Sequence, residues 1–179
     1  MLRSLGLTFE AIASGVEEGK GEGEAPSALA RRWAGEKAEA VSGAHPDRWV
    51  LSADTIVVLG GAVFGKPSDS GAARSMLEQL KGRTHEVWSG VCLMRGRPRA
   101  NHLHEVRTRV TFRDFSPEEI EAYIASGEPF DKAGAYGIQG MGASLVRSIS
   151  GSYTNVVGLP LCETIEWLLR EGIIAPNRS

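Results

Sequence analysis

Trp49-Val50-Leu51-Ser52-Ala53-Asp54-Thr55-Ile56-Val57-Val58-Leu59 runs directly into Gly60-Gly61 and then Ala62-Val63-Phe64-Gly65-Lys66-Pro67. An apolar, β-branched run that stops on a Gly-Gly pair predicts a strand, a tight hairpin turn and a short second strand. One residue does not belong to that pattern. A carboxylate at Asp54 must be paired, desolvated or set at a cleft, because an unpaired buried charge is costly. Perturbed carboxylates inside apolar strands tend to mark functional sites, so Asp54 is the first candidate; a strand-end aspartate bonded to a neighbouring turn is the bland alternative.

Downstream of the hairpin, Gly65-Lys66-Pro67 presents Lys66 from a corner that proline stiffens, where its ammonium suits a phosphate as a point charge. Asp69 is a predicted N-cap for a helix through Leu80, with Ala73, Met76, Leu77 and Leu80 as its apolar stripe. Val87–Met94 and Glu105–Phe112 read as strands joined through Arg95-Gly96-Arg97-Pro98. Ser116-Pro117-Glu118-Glu119 is a capping box opening a helix that carries Ile120, Tyr123 and Ile124 inward and ends near Gly127. A short strand over Leu145–Ile149 and an amphipathic helix over Pro160–Glu171 close the chain.

Upstream, Met1–Gly6 reads as the tail of a helix, Leu7–Val16 alternates loosely enough for a strand, and Glu17–Glu24 is a charged, glycine-rich loop. A helix from Pro26 to about Val41 places Leu29, Trp33, Lys37 and Ala40 on related faces. Strands and helices mix without strict alternation or internal repeat, which predicts an α/β or α+β fold on a mixed sheet.

Two further stretches carry polar groups among glycines. Asp131–Gly140 leads into four glycines between 134 and 142, a spacing that lets backbone N–H groups approach an anion or a base edge. Gln139 there offers both a donor and an acceptor to a nucleobase. A purely structural loop fits the same spacing. Gly151–Leu161 is a polar loop opening a helix, suited to an anion or simply to Pro160 starting the helix.

Composition excludes several classes. The 179 residues suit one domain, and a net charge of -2 gives no global field for nucleic acid or an anionic membrane. The two cysteines, Cys92 and Cys162, have no metal-ligand spacing, and the four histidines form no zinc pattern. No apolar run approaches the roughly 20 residues of a membrane span. No secretory leader is evident, so the expected location is cytoplasmic. Serine-hydrolase elbows, P-loops and dinucleotide-binding glycine motifs are absent.

Taken in order, Ser52–Val58 (SADTIVV), Gly65–Pro67 (GKP), Met76–Val91 (MLEQLKGRTHEVWSGV), Phe130–Gly140 (FDKAGAYGIQG) and Ser150–Leu161 (SGSYTNVVGLPL) resemble the Maf family of nucleotide pyrophosphatases. The resemblance covers nearly the whole chain and implies an elongated, two-lobed α/β fold with a mixed twisted sheet and a central cleft, similar to inosine triphosphate pyrophosphatase. It implies hydrolysis of a nucleoside triphosphate to the monophosphate and pyrophosphate with a divalent cation, magnesium or manganese. Asp54 matches the family's catalytic aspartate, expected to activate water or hold the metal, and Glu18 matches a second acidic position at the same metal. Lys37 and Lys66 match lysines that meet the phosphates, while Thr55 and Gln139 match positions linked to base selection. The DKAGAYGIQG form resembles the branch acting on dTTP, UTP and related pyrimidine nucleotides. A homodimer is what the family suggests.

The family pattern also includes an opening strand and a Ser-x-Ser-Pro-Arg-Arg loop with no counterpart in this sequence. The expectation is therefore a single Maf-like domain over 1–179, N-terminally truncated relative to the family, without the arginines that would grip the triphosphate. That expectation sustains a second hypothesis, a non-catalytic nucleotide-binding regulator of cell division.

Overall fold

The computed structural model describes residues 1–19, 21 and 23–175. Its sheet is built on the apolar strand that carries Asp54. Strand β1 spans Trp49–Leu59, Gly60 and Gly61 turn the chain at φ 58° and 87°, and β2 returns over Ala62–Phe64. Positive φ at both turn positions is why glycine stands at each. Strands β3 (Thr84–Arg95), β4 (Ala100–Phe112) and β5 (Val146–Ser150) complete a five-stranded sheet in the order β2-β1-β3-β4-β5.

All four pairings among the described residues are antiparallel. The expected α/β composition is observed, but the sheet is not mixed in direction. Short reversals explain it: a glycine turn joins β1 to β2, and β3 and β4 form one long hairpin whose strands extend well past Val87–Met94 and Glu105–Phe112. The Arg95–Pro98 tract makes the bend between them, as expected.

Helices cover both faces. Helix α1 (Pro26–Ala44) starts with proline in its first turn and runs past Val41 to Ala44. Helix α2 (Ser70–Leu80) is capped by Asp69, whose side chain accepts from Ala72 N at 2.8 Å. Helix α3 (Pro117–Ala125) carries both halves of its capping box. Helix α4 (Tyr153–Val157), which the pattern did not reveal, precedes α5 (Leu161–Arg170). The opening residues form only a 3₁₀ turn over Leu2–Leu5, stopped by Gly6 at φ 75°.

The strand expected over Leu7–Val16 does not form. A strand needs a ladder partner, and this segment pairs with none of the described strands; Phe9 and Ile12 stay 44% and 45% exposed. Of the loop expected over Glu17–Glu24, Lys20 and Glu22 lie outside the described residues.

Strand alternation divides the core. Ile56 and Val58 face α1 with Leu29, Ala30 and Trp33, whereas Val57 faces α2 and α3 with Leu77, Leu80, Ile120 and Tyr123. Ala30, Ala34 and Ala38 are fully buried and recur at helical spacing, so α1 presents a ridge of methyl groups to the sheet. At Gly90 of β3 the contact is tighter still: a Cβ there would stand 2.1 Å from the Ala30 carbonyl oxygen. Glycine is required by that approach rather than by its backbone angles. On the opposite face His85, 1% exposed, bonds through Nε2 to the Tyr136 hydroxyl at 2.8 Å and packs edge-on to Phe112.

Gly90→Ala is expected to cost about 1 to 3 kcal/mol through overpacking against α1, measured by urea unfolding; an unchanged midpoint would show that the helix does not rest on β3. Burial also lowers the His85 pKa from 6.5 to about 4. The unfolded chain therefore binds that proton more tightly than the native state. The contribution is complete above pH 6.5 and disappears as pH falls through 4, for a loss of roughly 3 kcal/mol. His85→Phe should flatten that part of the stability profile against pH.

Candidate active site

Asp54 is paired across the sheet with Gly90, so α1 passes directly over it. Lys37 lies two turns beyond Ala30 on that helix, which brings its ammonium down onto the carboxylate. Lys37 Nζ donates to Asp54 Oδ1 and also, at 2.7 Å, to Glu18 Oε1. The result is a carboxylate–ammonium–carboxylate chain. The Lys37 side chain is 20% exposed and that of Asp54 10%, while Glu18 is half exposed and meets solvent. Nearby, Ser52 of β1 donates to the Ala34 carbonyl and fastens the strand to the helix.

The electrostatics follow from this geometry. Burial raises the Asp54 pKa; Lys37 and, at longer range, Lys66 oppose the rise, and Glu18 reinforces it. Burial weighs against the Lys37 charge, but the hydrogen bonds to Asp54 and Glu18 outweigh it and hold the lysine above its ordinary value. A raised carboxyl pKa means that the native state holds the Asp54 proton more tightly than the unfolded chain does. The stability this provides at low pH is lost as pH rises through the raised value. The ionised carboxylate is thus kept at a cost to the fold, as at sites where a base is wanted.

Glu18, Lys37, Asp54, Thr55, Lys66 and Gln139 all line one cleft of about 400 Å³. Its shape reconciles two neighbours that alternation sends to opposite faces. Strand β2 pairs only with Val57–Leu59, so the edge of β1 around Asp54 and Thr55 has no strand beside it among the described residues. The cleft wraps around that edge and reaches Asp54 on the α1 face and Thr55 on the other.

Thr55 belongs to a polar network that the sequence pattern did not reveal. Its hydroxyl meets Ser89 Oγ at 2.7 Å, and Ser89 donates to the Asn155 carbonyl at 3.2 Å. The Asn155 side chain, fully buried, donates to Val87 O at 3.1 Å and Thr108 Oγ1 at 3.0 Å, tying α4 across β3 and β4. The available signal was an asparagine three residues after a capping serine, Ser152.

The glycine-rich segment is built differently from an anion cradle. Its Gly137 N–H donates to the Tyr123 hydroxyl at 3.1 Å, and the Met141 and Gly142 N–H groups donate to the Glu128 carboxylate at 2.9 and 3.0 Å. Those donors are already occupied. Glu128, which sequence inspection passed over, therefore shapes the wall, and a Cβ at Gly140 would stand 2.6 Å from its Oε2. The segment joins the Lys66 corner through Gly134 N to Gly65 O at 3.0 Å and leaves exposed Gln139 at the cleft.

A larger cavity of about 750 Å³ lies beneath Leu7–Ser14 and shares Lys37 with the cleft. It lacks Asp54, Lys66 and Gln139, so size does not mark the chemistry here. Among the described residues no group of three or more His, Cys, Asp or Glu side chains is placed to hold a metal. A cation carried in with phosphates needs only one or two protein carboxylates. Asp54 and Glu18, which both bond the Lys37 ammonium, are the two carboxylates that could share such a cation.

Residues 1–171 match the family model described as Maf-like protein. The chain belongs to the Maf family. It is 49% identical over 179 residues to a dTTP/UTP pyrophosphatase of Myxococcus xanthus, covering 100% of this chain and 90% of that one. It is 50% identical over 180 residues to a protein of the same name from Escherichia coli O157:H7, with 100% and 90% covered. A third, from Nitratidesulfovibrio vulgaris, is 50% identical over 171 residues, covering 95% of this chain and 81% of the relative. No helix of the described residues is long and apolar enough to cross a membrane.

Lys37→Met removes the ammonium between Asp54 and Glu18 and should drive the Asp54 carboxyl pKa further up. Carbon-13 NMR titration of that carboxyl in both proteins measures it, and an unmoved midpoint would refute the pairing.

Proposed function

We propose that this Maf-family chain is a nucleoside triphosphate pyrophosphatase acting on dTTP and UTP. The observation that carries the proposal is the convergence of Glu18, Lys37, Asp54, Thr55, Lys66 and Gln139 on one cleft, in a chain whose relatives bear that name. In this reading the nucleotide lies across the open edge of β1. Its phosphates meet Lys37 and Lys66 on the side of Asp54, and its base meets Thr55 and Gln139.

Water attacks the α-phosphorus, its P–O bond forms as the bond to the β-phosphate oxygen breaks, and pyrophosphate departs. Asp54 takes the proton of the attacking water, a role favoured by the raised pKa that burial gives it. The two ammonium groups neutralise the charge that develops on the phosphate oxygens in a cleft that screens them less than bulk water. A divalent cation, magnesium or manganese, held by Asp54 and Glu18 would polarise the phosphate and lower the pKa of a bound water. Action in the cytoplasm, where these nucleotides are found, is part of the same proposal. The non-catalytic regulator is not favoured, because a binding role alone does not require a buried, partly desolvated Asp54.

Pyrophosphate release over a panel of triphosphates, with and without magnesium or manganese, tests the proposal. Turnover of dTTP and UTP is expected, with a loss of roughly a thousandfold or more in Asp54→Asn at a retained melting temperature. A silent panel, or a near-normal Asp54→Asn enzyme, would remove the proposal.

A further inference from the structure

We propose that Ser89 is a positioning residue that fixes the Thr55 hydroxyl as a hydrogen-bond acceptor toward the cleft. The site thereby selects a base presenting an N–H there, the imide of uracil or thymine, over cytosine. The inference rests on the nucleotide reading above and adds to it the group that chooses among pyrimidines.

The argument is one of proton counting. Ser89 is fully buried and faces Thr55 across the β1–β3 register. Its hydroxyl has one proton and two lone pairs. The Asn155 carbonyl can only accept, and it lies 3.2 Å from Ser89 Oγ in donating geometry. That carbonyl also receives Gly158 N at 2.9 Å, so both of its lone pairs are used. With the Ser89 proton committed, the 2.7 Å contact between Ser89 and Thr55 has one consistent polarity: Thr55 donates and Ser89 accepts. The reverse order makes one bond among the three groups instead of two, and it leaves buried capacity unused.

Thr55 therefore offers the cleft lone pairs and no proton. Thr55 is only half-buried and lines the cleft, so those lone pairs are within reach of a ligand there. Gln139 cannot choose between the bases in this way, because a rotated amide exchanges donor for acceptor. Uracil and thymine bring an N3–H to an acceptor. Cytosine brings an unprotonated ring nitrogen at that position, which leaves two acceptors facing each other. A site that bonds a substrate N–H rejects the analogue lacking it more strongly than an apolar pocket rejects a methyl group.

The test compares kcat/KM for UTP, CTP and 3-methyl-UTP in the wild type, Ser89→Ala, Thr55→Val and Thr55→Ser. The wild type should prefer UTP to both other substrates by about tenfold or more. Ser89→Ala frees the Thr55 proton to turn toward the substrate and should bring the UTP-to-CTP ratio down by about tenfold, with CTP gaining chiefly in KM. Thr55→Val should also lose the preference, whereas Thr55→Ser, which keeps the hydroxyl, should retain it. A UTP-to-CTP ratio near one in the wild type, or one unmoved in Ser89→Ala and Thr55→Val, overturns the inference. If Ser89→Ala does not fold, equal use of UTP and 3-methyl-UTP by the wild type overturns it alone. If the wild type turns over no triphosphate, the enzymatic proposal fails separately. The polarity is then read from calorimetric affinities for α,β-imido-UTP and α,β-imido-CTP, and equal affinities would overturn it.

Discussion

The tight approach of helix α1 to strand β3 governs the rest of the molecule. At Gly90 the backbone of α1 rests on β3 with no room for a side chain, and the fully buried alanines at 30, 34 and 38 keep the helix at that distance along its length. Close packing makes this separation stiff, since interiors tolerate neither gaps nor overlap of a methyl group. Gly90 is also the cross-strand partner of Asp54. The height of the helix above the sheet therefore sets how far Lys37 must reach, and a lysine two turns beyond the contact arrives on the carboxylate. A structural constraint and the centre of the site share one crossing point.

The same crossing explains why the charges are bearable. A buried aspartate alone would protonate or unfold the strand around it. Lys37 satisfies it on one side and hands its remaining donor capacity to Glu18 at the surface, so the chain of charge runs from the interior to solvent. Burial still raises the Asp54 pKa, and the proposed role as a base draws on this residual imbalance. Thr55, one residue on, points to the opposite face into a network of hydroxyls and one asparagine. The incomplete edge of β1, paired with β2 only from Val57 onward, lets a single cleft reach both faces.

Local signals were legible wherever the physics is local. The Gly60-Gly61 turn, the Asp69 cap and the Ser116 capping box each involve groups a few residues apart, and each appears where the sequence places it. Leu7–Val16 misled because alternation describes a surface and not a partner; no strand among the described residues accepts it. The glycines from 134 to 142 left an anion cradle and a structural loop equally open. Their spacing permits an anion cradle, but Glu128 and Tyr123, distant in pattern though near in chain, take the donors instead. Strand direction was equally illegible, because it depends on how reversals add up across the sheet.

By itself the sequence determined that Asp54 is anomalous, that Lys66 sits at a stiffened corner and Gln139 among glycines where each could address a ligand, and that its ordered blocks resemble those of the Maf family. A charged residue in an apolar run violates the cost of burial whatever the topology, so it can be found without coordinates. Only the tertiary structure decided the partnership of Lys37 with both Glu18 and Asp54, the placement of Thr55 on the far side of the same strand, and its contact with the buried Ser89. Those facts depend on which atoms meet across α1, β3 and α4. Hydrogen-bond direction in particular is fixed by the last acceptor in a chain of contacts, and here that acceptor is a backbone carbonyl 66 residues away from the serine that donates to it.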